Sequence, residues 1–258
     1  MECGQQFTAA GEARLCDYTG GLFCSCCHWG APSPSPARLL ATWDPAPRPV
    51  CQAALQYLAV QARRPLLALQ EVSPGLQAVI GEVGRWSANK VLSTAFCSAQ
   101  VGEVVRQRER MLSMKRYLVV CRLAQEQRLL TLLQDRQHFV ENSTMFSFQD
   151  LLDLQNGVLH QYLQSRLDTF HTHISSCVLC TAKGFLCELC PPSPDTQTIF
   201  PFDELVVVCS QCEAVFHRDC FRWETFPFSL RKCLHRSATG CPRCERKREK
   251  KGGGAHQE

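Results

Sequence analysis

The sequence predicts a mainly α protein: a helical domain flanked by a small cysteine-rich knuckle at the N-terminus and a larger Cys/His module with short β-strands at the C-terminus. Two clusters of paired cysteines and a long run of helical apolar spacing between them carry that prediction. Ten of the 18 cysteines lie between His173 and Cys244, mostly in pairs two residues apart. The pairs are Cys177/Cys180, Cys187/Cys190, Cys209/Cys212 and Cys241/Cys244, with His217/Cys220 as a mixed fifth. A Cys-x-x-Cys turn aims two sulfurs at one point, which is half of a tetrahedral zinc shell.

From Cys187 the order is Cys-x2-Cys, eighteen residues, Cys-x2-Cys, four, His-x2-Cys, twenty, Cys-x2-Cys. This is the ligand order of cross-braced zinc modules of RING and PHD type. By that analogy Cys187, Cys190, His217 and Cys220 share one ion, and Cys209, Cys212, Cys241 and Cys244 another, giving two or more Zn2+ in all. Cys177/Cys180 is left over, and His171 or His173 just upstream would complete a third shell. Disulfides are the competing reading of so many cysteines. The repeated two-residue spacing with an interposed histidine, in a chain without an apolar signal segment after Met1, favours metal.

Length and charge bound the rest. A chain of 258 residues is long enough for one helical core plus small metal modules. No run of about eighteen apolar residues occurs, so no membrane-spanning segment is expected. The net charge of +4 sits in the tail. There Arg243, Arg246, Lys247, Arg248, Lys250 and Lys251 face only Glu245 and Glu249, and the rest of the chain is balanced. A broad basic face for DNA is therefore not expected, and residues 247–258 read as a disordered basic tail.

In chain order, residues 1–30 form the N-terminal knuckle, with Cys3, Cys16, Cys24, Cys27 and His28 as candidate ligands. Tyr18 to Phe23 reads as a hairpin leading into the Cys24/Cys27 turn. Cys3 has no cysteine two or three residues before it, so this shell is expected to be short of a ligand. The run Ala31-Pro-Ser-Pro-Ser-Pro36 reads as a stiff spacer. The helical domain is assigned to 38–175. Val50, Ala54, Leu55 and Leu58 fall at helical spacing, and Pro65 and Pro74 each open a further helical segment.

The longest stripe is Val101, Val104, Val105, Met111, Leu112, Leu118 and Val119, with Arg106, Arg108 and Arg110 expected on the opposite, solvated face. Arg106 and Arg110 are candidate contacts for an acidic partner. Leu123 to Leu133 predicts another helix. Ser147 with Asp150 three residues on is a capping-box signal, and Gly157 is expected to break the helix that follows. Leu159, Leu163, Leu167, Phe170 and Ile174 then continue at helical spacing as a spine leading into the first cysteine pair. The zinc module is assigned to 173–246, with Ile199–Phe202 and Leu205–Val208 as two short strands. Phe221–Ser237 reads as an insertion before the last pair; Cys233 and His235 within it have no assigned role. Cys51, Cys97 and Cys121 stand alone and are most simply buried thiols.

Several of these stretches resemble one family. Leu15-Cys-Asp-Tyr-Thr-Gly20, Phe23-Cys-Ser-Cys-Cys-His28, Pro36-Ala-Arg38 and Trp43-Asp44 resemble the opening of the Rubicon homology domain. Lys183-Gly-Phe-Leu-Cys-Glu-Leu-Cys190, Ile199-Phe-Pro-Phe202, Val215-Phe-His-Arg-Asp-Cys220 and Cys241-Pro-Arg-Cys244 are similar to its later motifs. Leu133 to Asn142 resembles a small member of that family. The resemblance runs over residues 3–246, and its set of nine cysteines and one histidine falls on Cys177, Cys180, Cys187, Cys190, Cys209, Cys212, His217, Cys220, Cys241 and Cys244. It implies a non-catalytic cytoplasmic adaptor that binds a Rab-type small GTPase. Such an adaptor would sit peripherally on late endosome and lysosome membranes, act in trafficking, organelle positioning or autophagy, and engage other trafficking adaptors.

Two further readings stay open. The cross-brace order also suits a RING-like ubiquitin ligase, which recruits its conjugating enzyme without a catalytic side chain. A PHD-type histone-tail reader would place a tryptophan two residues before the last pair to cage a methylammonium; here that position is Thr239.

Overall fold

The computed structural model describes Cys3 and residues 13–68, 88–190, 197–224, 241–244, 246 and 247. The chain is mainly helical, with short two-stranded sheets and Cys/His clusters near both ends. The segment opened by Pro74, most of the Phe221–Ser237 insertion with Cys233 and His235, and the tail beyond Lys247 lie outside the described residues. So does the side chain of Cys97. The structure divides into two compact units, each assembled from separate stretches: 1–112 with 133–167, and 113–132 with 168–258. Neither therefore coincides with a continuous stretch such as 38–175.

The first unit begins with a hairpin of β1 (Arg14–Leu15) and β2 (Leu22–Phe23) around Gly20, whose φ of 69° suits the turn. The first half of the Ala31–Pro36 run, expected to be a stiff spacer, is a strand: β3 (Ala31–Ser33) pairs antiparallel with β4 (Arg48–Val50) so that Pro32 faces Pro49. In a two-stranded ribbon each strand has an unpaired edge, and proline is tolerated there because no ladder donor is demanded of it. Between them α1 (Pro36–Thr42) starts with proline in its first turn and ends on Trp43 in the left-handed conformation (φ 54°). Helix α2 (Gln52–Gln61) buries Ala54 and Leu58.

Residues 66–68, the described part of the segment opened by Pro65, are also not helical. Leu67–Ala68 forms β5, paired with β6 (Met145–Phe146). That pairing joins residues far apart in sequence, which no local pattern encodes.

Helix α3 (Ala88–Val119) carries the long apolar stripe. Val101, Val104, Met111 and Leu118 are buried, whereas Val119 is exposed. Arg108 corrects the expected arginine face. It lies four residues after Val104 and three before Met111, hence on the apolar face, and it is 0% exposed. Its guanidinium sits 4.5 Å from the centroid of the Phe139 ring and 4.7 Å from that of Phe146, and Nη2 donates to the Asn142 carbonyl. Nε and Nη1 have no hydrogen-bond partner among the described residues. Burial pulls the Arg108 pKa down to about 10 against the field of Asp150, which raises it. Arg106 does project outward and bridges to Glu103.

The helix expected over Leu123–Leu133 is shorter: α4 covers Arg122–Glu126, and the chain then tightens into 3-10 turns over Leu129–Val140. Non-helical backbone at Leu133 and Arg136 breaks the run. Helix α5 (Phe148–Gln155) opens with the full capping box: Ser147 Oγ accepts from Asp150 N–H and Asp150 Oδ2 accepts from Ser147 N–H at 2.8 Å. Gly157 (φ 73°) separates it from α6 (Val158–Ser176). Leu159, Leu163, Leu167, Phe170 and Ile174 are all buried along α6.

Asp150 does more than cap. It is 1% exposed, accepts from Arg136 Nη1 at 2.9 Å, and meets His138 Nε2 at 2.7 Å, while Arg136 also bridges Asp153. One carboxylate thus ties the 3-10 segment to the start of α5. Burial would push its pKa up, but the His138 and Ser147 hydrogen bonds outweigh that and hold it below the ordinary 3.8. A carboxylate depressed in the folded state adds stability that is present above the unfolded pKa and is lost as pH falls through the folded one. Asp150→Asn is expected to destabilise the protein by about 2 kcal/mol at pH 7, by removing the carboxylate that Arg136 and His138 share, although Arg136 keeps Asp153. The difference from wild type should shrink below about pH 4, as read by urea unfolding across the acid range.

Candidate metal centres

The second unit takes in the C-terminal ends of α3 and α6 and the whole of α4. It holds α7 (Val178–Thr181), the hairpin of β7 (Val206–Val208) and β8 (Val215–His217), and α8 (Arg218–Glu224). Ile199 is not in a strand but forms a single bridge with Phe185. These short pieces converge on three groups of side chains.

Cys187 and Cys190 come from the loop after the Phe185 bridge, His217 from the end of β8 and Cys220 from α8. Cys190 Sγ lies 3.1 Å from His217 Nδ1 and 3.7 Å from Cys220 Sγ. Cys209 and Cys212, in the turn between β7 and β8, face Cys241 and Cys244, with Cys209–Cys244 at 3.8 Å and Cys212–Cys241 at 3.5 Å. The two groups interleave along the chain, so each crosses the other's loop.

The third group answers the leftover pair. Cys177 and Cys180 are joined by His173, from the last turn of α6, and by Cys121, from the N-cap of α4. Cys121 Sγ is 3.6 Å from Cys177 Sγ and 3.4 Å from His173 Nε2. Cys121 is therefore not an isolated thiol. The other nitrogen of His173, Nδ1, lies 3.1 Å from Gln127 Oε1, which orients the ring as the outer partners of ligand histidines do. His171 instead packs on the Phe202 ring and faces Asp203 at 3.6 Å.

At the N-terminus Cys3, Cys24 and Cys27 come together, with Cys3–Cys24 at 3.3 Å; among the described residues this group has three members. His28 and Cys16 lie outside it. Both His28 nitrogens are engaged by the backbone, Nε2 at 3.1 Å from the Leu15 carbonyl and Nδ1 accepting from Gly30 N–H. Cys16 is a core thiol packed with Val50, Cys51 and Ala54, and its sulfur accepts from Cys51 N–H at 3.2 Å.

The distances discriminate between chemistries. A disulfide needs about 2.05 Å between sulfurs, whereas sulfurs at the corners of a tetrahedron around zinc stand about 3.8 Å apart for a metal–sulfur bond of about 2.3 Å. The observed separations of 3.3–3.8 Å fit the second. Electrostatics point the same way. In the Cys209 group, Cys244 is pushed up to about 12, first by its contact with Cys212 and then by burial, while Cys209 is held at about 7 by hydrogen bonds that outweigh its burial. Burial and then the neighbouring thiols push Cys190 and Cys180 up to about 12. Crowded thiols cannot all ionise alone, and a divalent cation removes that penalty.

Gly184 marks how tightly this region closes. A Cβ there would fall 2.0 Å from Thr198 Cγ2 and 3.1 Å from the Phe200 ring, beside the Phe185–Ile199 bridge. Behind it, Tyr117 meets Phe200 and Phe202 edge-on at 5.4 and 5.7 Å.

Cys121→Ser is expected to lower the zinc content of the purified chain by about one ion, while Cys51→Ser leaves it unchanged; native mass spectrometry reads the difference. Because the shells do not exist in the unfolded chain, binding energy is folding energy. Chelation should therefore abolish the protease resistance of the 168–247 region. Acidification should release the metal too, since its thiol ligands must be deprotonated.

A family model described as Rubicon Homology Domain matches residues 14–249. Two curated relatives, both named "Differentially expressed in FDCP 8 homolog", are similar over most of the chain. The Caenorhabditis elegans protein is 36% identical over 243 residues, covering 93% of this chain and 44% of its own length. The Drosophila melanogaster protein is 31% identical over 254 residues, covering 97% of this chain and 45% of its own. The chain thus spans a little under half the length of these relatives. A match that runs from the first hairpin through all the interleaved cysteine groups places the chain in the Rubicon homology domain family.

Proposed function

We propose that the protein is a zinc-stabilised adaptor without turnover of its own, which binds a Rab-type small GTPase in its GTP state. In this reading it works peripherally on late endosome and lysosome membranes, with other trafficking adaptors, in organelle positioning or autophagy. The observation that carries the reading is the family match over residues 14–249. The metal groups support the non-catalytic part: the three in the C-terminal region each assemble four Cys/His ligands, and a four-ligand shell leaves no position for a reactive water. No helix of the described residues is long and apolar enough to cross a membrane.

An effector recognises the switch loops that γ-phosphate orders, so selectivity for the GTP form is the signature to seek. In pull-downs against a panel of Rab GTPases, at least one GTP-loaded member should be retained over its GDP form. Zinc-ligand variants such as Cys209→Ser should lose it through unfolding. Charge reversal at Arg106, whose side chain is 67% exposed, or at half-buried Arg110 tests a direct contact. Equal recovery of both nucleotide forms, or of neither, overturns the reading. The interleaved groups also favour a second one, a RING-like ligase, for which autoubiquitination with a panel of conjugating enzymes is the test.

A further inference from the structure

We propose that the two segments joined by the Cys121/His173/Cys177/Cys180 group form a lipid-contacting tip that docks on an anionic bilayer surface. This deepens the membrane-peripheral part of the proposed function and does not depend on a GTPase.

The tip is built from exposed aliphatic side chains. Val119 and Val120 precede Cys121 and Leu123 follows it; Val178 and Leu179 lie between Cys177 and Cys180. Val178 is 79% exposed, Val120 58% and Leu179 49%. The 3.6 Å approach of Cys121 Sγ to Cys177 Sγ brings their two backbones side by side. Exposed apolar side chains gathered at one place mark a contact surface, and these five sit at the end of α3, in the turn after it, and on the short helices α4 and α7.

Charge decides which contact. The same two segments carry exposed Arg116, Arg122, Arg128 and Lys183. The acidic side chains near them are Glu126, which pairs with Arg122 at 3.0 Å, and Glu213, which lines one cavity with Arg116 and Lys183, so the cations outnumber the acids four to two. Aliphatic residues collared by cations suit the boundary between acyl chains and anionic headgroups. A protein interface would instead be expected to centre on aromatic anchors seated in pockets. The nearby cavity of about 270 Å³ is lined by Arg116, Tyr117, Lys183 and Phe185 among others, but by none of the five aliphatic residues. They therefore face outward rather than into a preformed slot.

The test is co-sedimentation of the full chain, zinc-loaded, with vesicles of phosphatidylcholine alone or with about 30% phosphatidylserine. Binding is expected to the anionic vesicles only, and to weaken as salt is raised from about 0.1 to about 0.5 M. Leu179→Asp, and separately Arg116→Glu with Lys183→Glu, should each cut the bound fraction about five-fold or more. Leu179→Trp should keep or raise it, an outcome that a folding defect does not give. Zinc content and circular dichroism of each variant establish that the shell is intact. Equal binding to neutral vesicles, no binding to either kind, or wild-type binding by the metal-loaded variants overturns the proposal. A GTPase pull-down in the absence of vesicles separates its failure from failure of the adaptor reading. Retention of a GTPase by wild type but not by metal-loaded Leu179→Asp, with no vesicle binding by either, would mark the tip as a protein contact and overturn the lipid assignment.

Discussion

The convergence of thiol and imidazole ligands into four-membered groups is the constraint on which the C-terminal half depends. The hairpin Val206–Val208/Val215–His217, the single bridge at Ile199 and two helices of four and seven residues cannot bury enough apolar surface to hold one another. Their core is correspondingly small and mixed, with Cys187, Cys241 and Cys244 packed among Ile199, Val206, Val215 and Phe216. The ligand groups are part of that core rather than an addition to it. Interleaving strengthens the effect, since each group closes a loop that contains ligands of the other.

The first unit is held by different physics. Its centre is helical packing along α3 and α6, with a buried polar node where Asp150 gathers Arg136, His138 and the Ser147 backbone. A second buried charge, Arg108, lies between two phenylalanine rings. Fully buried charge is costly unless it is partnered, and these side chains partner the carbonyls and carboxylate of the stretch around 136–150, where the 3-10 turns give way to β6 and α5. The buried charges thus tie that junction to the helical frame.

Helix α3 connects the two themes in sequence. Its apolar face buries Met111 and Met114, and it ends at Val119, two residues before the Cys121 ligand. Helix α6 does the same, carrying its buried stripe to Ile174 and presenting His173 from its last turn. Both long helices therefore lead into one group, α6 by supplying His173 and α3 by ending two residues before Cys121, and the segments that flank it carry the exposed aliphatic tip.

The sequence by itself determined what is local. Two-residue spacing defined the cysteine knuckles, Ser147 with Asp150 defined the start of α5, Gly157 its separation from α6, and the spacing from Leu159 to Ile174 the buried stripe. Each is set within one or two turns of chain, where residue type and backbone geometry are coupled directly. The interleaved groups were legible too, because their ligand order is that of cross-braced RING and PHD modules. The tertiary structure alone decided what joins distant residues. It placed Cys121 beside a pair 56 residues away, paired Leu67–Ala68 with Met145–Phe146, and turned the proline-rich Ala31–Ser33 into a strand. It gave both nitrogens of His28 to the backbone and buried Cys16 in the core, removing both from the N-terminal group. Arg108 shows the reason most plainly: its position on the buried face was written in the spacing. That a charge would be tolerated there depended on two aromatic rings and a carbonyl brought from more than thirty residues along the chain.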